Sequence, residues 1–79
     1  MAWRVVEHDD RRWNVTVAAE RRAHSQQWTL VFAFRATDPA QRSFWATYPL
    51  SASSKAALFA QAEQISDAAL AAFLAEQLQ

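Results

Sequence analysis

Apolar and polar positions alternate along the first half of the chain and recur at helical spacing along the second. Trp3-Arg4-Val5-Val6-Glu7-His8 is rich in aromatic and β-branched residues and reads as a first strand. Asp9-Asp10-Arg11 is a polar turn in which aspartate can take the left-handed conformation usually left to glycine. Arg12 to Ala18 then alternates, the mark of a strand with one buried side, and the two segments form a hairpin. Glu20 to Gln27 has no periodicity and reads as an exposed connection. Trp28 to Arg35 is the clearest strand, with Trp28, Leu30, Phe32 and Phe34 on one side. A proline turn at Thr37-Asp38-Pro39-Ala40-Gln41 leads to a fourth strand, Arg42 to Tyr48, which Pro49 is expected to end.

Beyond Pro49 the period changes. Serines 51, 53 and 54 offer N-caps, because a serine hydroxyl can accept a hydrogen bond from a free amide of the first helical turn. Lys55 to Ile65 places Leu58, Phe59, Ala62 and Ile65 at helical spacing, and Leu70, Phe73, Leu74 and Leu78 form a second stripe. Ser66-Asp67 breaks the run into two helices, with one bent helix as the alternative. The expected fold is α+β over residues 1–79 as one small domain. It is a four-stranded antiparallel meander in the order β-β-β-β-α-α, with one face covered by the C-terminal helical segment.

Alternation then divides the side chains between two faces. The helix-covered face takes Val5, Trp13, Val15, Val17, Leu30, Phe32 and Phe34, with Trp3 and Trp28. The other face takes Arg4, Val6, Arg12, Asn14, Thr16, Thr29, Val31, Ala33 and Arg35. Phe44 and Trp45 are adjacent on one strand, so one of them must point to each side.

Composition narrows the function. Among 79 residues there is no glycine and no cysteine. This removes glycine-built phosphate loops, nucleophile elbows, disulfides and thiolate metal sites. The longest apolar run, Ala68 to Ala75, is far shorter than the roughly 20 residues needed to span a bilayer. With no signal-peptide core ahead of the first strand, a cytoplasmic location and no membrane partner are expected. Eighteen alanines, and seven arginines against one lysine, fit a GC-rich bacterial source.

Net charge is zero but unevenly spread. Residues 1–55 hold eight basic and five acidic side chains, or +3, and residues 56–79 hold only Glu63, Asp67 and Glu76, or −3. Complementary patches of this kind suit contact between two copies.

The candidate chemistry is thin. His8 beside Asp9 and Asp10 could act as a base or a ligand, with His24, Glu20 or Glu7 brought near it by the fold, but the spacing fits no metal or catalytic motif. Arg11-Arg12 and Arg21-Arg22, interleaved with Trp13 and Trp28, resemble phosphate-binding and base-stacking surfaces, yet acids flank them. A helix-turn-helix reading fails because no arginine or lysine follows Lys55. No enzyme activity, cofactor or small-molecule ligand is expected. The expected function is a protein-interaction module that pairs with a second copy or another protein. Its surface is the helix-free sheet face, carried by Arg4, Arg12, Arg35 and Trp45. Weak nucleic-acid binding by arginines of that face is the alternative.

Overall fold

A computed structural model describes residues 3–21, 23–37 and 43–79. Four strands, β1 (Arg4–His8), β2 (Arg11–Glu20), β3 (Trp28–Ala36) and β4 (Phe44–Ala52), are followed by helices α1 (Lys55–Ala62) and α2 (Asp67–Gln77). The sheet is an antiparallel meander in sequence order, and both helices pack on one face of it, as the hydrophobic pattern implied.

The β1–β2 turn is tighter than expected. His8 pairs with Arg11, leaving a two-residue loop in which Asp9 (φ 52°) and Asp10 (φ 63°) are both left-handed. Two consecutive positive φ angles are the signature of a hairpin turn whose twist matches that of its strands. With no glycine available, two aspartates fill it.

This loop sets the register of β1, and the register overturns part of the face assignment. Val6 lies opposite Trp13 and is 3% exposed, whereas Val5 lies opposite Asn14 and is 49% exposed. Val5 therefore belongs to the helix-free face and Val6 to the core. Arg4 moves with Val6: it lies opposite Val15, and its side chain reaches the helices rather than the open face. A slip of one residue exchanges every side chain of a strand between faces.

The other strands keep the expected alternation. Trp13, Val15, Leu30, Phe32 and Phe34 are buried against Leu58, Ala62, Leu70 and Leu74. Phe32 is the centre of the aromatic cluster, stacked with Trp3 (5.8 Å between centroids) and edge-on to Tyr48 (5.3 Å) and Phe73 (5.9 Å). Pro49 does not end β4. The strand runs on to Ala52, with two more residues than β3 between the Val31–Thr47 and Thr29–Ser51 pairs. Pro49 sits inside this irregularity of an edge strand, where a missing N–H breaks no inner ladder. The expected turn at Asp38-Pro39-Ala40-Gln41, and the strand start at Arg42, lie outside the described residues.

The helices begin where the serines predict. Ser54 Oγ accepts from Ala57 N (3.1 Å) and caps α1, while Ser66 Oγ accepts from Ala69 N (3.0 Å) and caps α2. Asp67 in the first turn of α2 suits the positive end of the helix dipole. There are two helices, although α1 stops at Ala62, short of Ile65. Leu78 falls beyond α2 and is exposed. Among the described residues no helix is long and apolar enough to cross a membrane.

Candidate functional site

The end of α1 leaves carbonyls without helical partners, and β1 supplies a donor for them. Arg4 Nη2 donates to Glu63 O (2.9 Å) and Ala62 O (3.4 Å), and Nη1 donates to Ile65 O. Nη1 also stands 3.5 Å from Asp67 Oδ1. The guanidinium lies over the Trp3 ring at 4.3 Å, and Trp3 Nε1 donates to Glu63 Oε1 (3.0 Å). Trp3 and Arg4 thus clasp the inter-helix turn. Arg4 caps a helix within its own chain, so it is not available to the open face. Its side chain is 17% exposed. Two of the three acids in the helical segment, Glu63 and Asp67, meet groups of β1's end of this same chain. The charge split is therefore partly resolved inside the molecule.

Nothing local in the sequence signals this clasp. An arginine beside a tryptophan at a strand start carries no helix-capping signature, and the partners are about 60 residues away in sequence.

The histidines do not assemble. His8 Nε2 is 3.3 Å from Asp9 Oδ2 at the β1–β2 turn, beside a hollow of about 520 Å³ lined with Asp9, Arg11, Trp13 and Leu78. His24 (φ 69°) and Glu20 lie at the opposite end of β2. Ten residues of strand separate these ends by about 30 Å, so the grouping of His24 and Glu20 with His8 is overturned. Glu7 is nearer, but it faces Arg12, with Oε1 3.7 Å from Arg12 Nε. No group of three metal-ligating side chains occurs among the described residues. Of the arginine doublets, Arg22 lies outside the described residues. Trp13 is buried, and Trp28 is half-buried with Arg21 (5.0 Å) and Lys55 (4.6 Å) over its ring.

What remains is the helix-free face. Phe44 turns inward against Phe34 and Trp13, and Trp45 turns outward, 68% exposed. Pairing places Trp45 in one row with Ala33 and Thr16, and Thr47 in the next row with Val31 and Ala18. Small side chains on either side leave the indole as a ridge between two hollows. One, of about 360 Å³, is lined with Asn14, Thr16, Ala33 and Arg35; the other, of about 340 Å³, with Ala18, Glu20, Val31 and Thr47. Arg12 and Arg35 are exposed on this face as expected, and Val5 joins them at its β1 side.

The chain matches no protein-family model, and no curated protein or solved structure matches it. The surface has to be interpreted from its own chemistry. Its rows hold no general base paired with a nucleophile, but they do hold a large exposed aromatic set among small apolar and hydroxyl side chains, with charges at the ends. Tryptophan and arginine are the side chains most enriched at protein contacts, where they fill partner hollows and displace water.

Proposed function

We propose that the protein is a non-catalytic interaction module that self-associates through the helix-free sheet face. The observation that carries this reading is Trp45, exposed at the open face while its neighbour Phe44 completes the core. An indole of this exposure leaves a large apolar area in water. Burying such a ring against a partner gains roughly 25 cal/mol for each Å² removed from water. The size of the chain points the same way. A domain of about 80 residues buries a modest fraction of its surface, and association is a common supplement where disulfides cannot form. Edge pairing is a poorer route: β1 is only five residues long, and Pro49 interrupts β4.

Nucleic-acid binding by the same face is less well supported. Arg12 already faces Glu7, and Trp45 is the single strongly exposed aromatic among the described residues, where stacking surfaces present several.

Sedimentation equilibrium of the protein and of Trp45→Arg tests the reading. The parent is expected to self-associate as concentration rises, and the variant to remain at 9.0 kDa with the thermal transition of the dilute, monomeric parent. A parent that stays at 9.0 kDa at millimolar concentration overturns it.

A further inference from the structure

The helix-free face is polarised along its strands, and its relief matches that charge pattern. Arg35 and Asn14 form the row on one side of Trp45, with Arg12, already paired with Glu7, beyond them. Glu20, Thr29 and Ser51 form the row at the other end. Neither Arg35 nor Glu20 has an ion-pair partner among the described residues. Thr29 Oγ1 and Ser51 Oγ are 3.4 Å apart, which leaves hydroxyl acceptors beside Glu20. The Trp45 ridge separates a hollow walled by Arg35 from one walled by Glu20, and the two are nearly equal in size.

Resting on the self-association reading, we infer that two copies pack face to face about a twofold axis that lies in the interface and crosses the strands at the level of Ala46. Such an axis brings each strand over its own counterpart, running the opposite way. Trp45 of one copy then lies over Thr47 and Val31 of the other, in the hollow walled by Glu20, and the two indoles shield each other across the axis. The same operation carries Arg35 to the Thr29 and Glu20 end of the second copy. An isologous contact repeats each such pairing twice.

A face-to-face twofold parallel to the strands instead sets Arg35 against Arg35 and Glu20 against Glu20. Opposed like charges exclude it. The charge pattern therefore favours the axis across the strands over the one along them, and the ridge and hollows fit the same one.

The area bounds the contact. Four strands at about 4.8 Å spacing, over about seven residues each, offer roughly 450 Å² per copy. The two copies together bury roughly 900 Å², below the standard interface size, which fits a weak and reversible dimer.

Charge exchange measured by sedimentation equilibrium tests this arrangement. Arg35→Glu and Glu20→Arg are each expected to raise the dissociation constant about fivefold to tenfold, and the double variant to return it to within about threefold of the parent. Arg35→Glu combined with Glu76→Arg restores the same net charge at a helix position away from this face, and is expected to stay weak. If the single variants associate like the parent, or if the Glu76 combination rescues as well as the Glu20 one, the axis is wrong while self-association stands. If the parent itself never associates, the underlying reading fails with it.

Discussion

The two faces of this sheet are built from alternate residues of the same strands; the open one is charged at its ends, yet at its centre it differs from the covered one chiefly in side-chain size. Toward the helices, β2 and β3 present Trp13, Val15, Leu30, Phe32 and Phe34, and each of these is closed over by a helix or another ring. Away from them the same strands present Thr16, Ala18, Val31 and Ala33. Val31 is 8% exposed with no helix above it, because its neighbours on β2 and β4 are close enough to cover so small a group. Against that low surface the one large ring, Trp45, has nothing to lean on. A core needs matched large groups from two layers; a contact face needs a projecting group beside room for another. Those requirements distinguish the two sides better than hydropathy does.

Substitutions on the two sides are expected to separate stability from association. The largest stability effect belongs to Phe32→Ala, which removes the central ring of the aromatic cluster and leaves a cavity. A loss of about 3–5 kcal/mol is expected, a large part of the total stability of a domain this small. Urea denaturation followed by circular dichroism measures it. Arg4→Met comes next. It keeps the aliphatic stem but removes the guanidinium from the carbonyls at the end of α1, for a loss of about 2 kcal/mol. The same variant sharpens the comparison, because Arg4 faces the helices: its dissociation constant is expected to equal the parent's. A weakened dimer would return Arg4 to the open face. Trp45→Arg has the smallest effect on folding, within about 0.5 kcal/mol, and the largest on association.

Much of this contrast can be read in the sequence, and the gaps have physical causes. Alternation over Arg12 to Ala18 and Trp28 to Arg35 assigns both faces of β2 and β3 correctly, because each long run has a single consistent phase. Arg12 and Arg35 stand on the open face accordingly. β1 has no such phase: Val5 and Val6 are adjacent, so either alternation buries one valine. The information that decides between them lies in the turn. Assigning Asp9-Asp10 as a two-residue loop, rather than extending it to Arg11, pairs His8 with Arg11 and brings Val6 opposite Trp13. The serine caps were legible because their chemistry is local, with Ser54 and Ser66 each bonding an amide three residues ahead. The Trp3–Arg4 clasp was not, because it exists only once the helices have packed.

The choice between Phe44 and Trp45 lay beyond the sequence as well. The residues of the β3–β4 connection do not reveal its register, and only the observed pairing of Phe34 with Phe44 turns that ring inward. Trp45 thereby becomes the group on which the account depends. Its indole N–H is one of four such signals in a nitrogen–proton correlation spectrum, beside those of Trp3, Trp13 and Trp28. Dilution from millimolar to micromolar concentration is the most direct test. The Trp45 indole is expected to move along one saturable curve together with the amides of Thr16, Val31 and Thr47, while those of α1 and α2 stay fixed. Shifts confined to the helices, or no shifts at all, would contradict it.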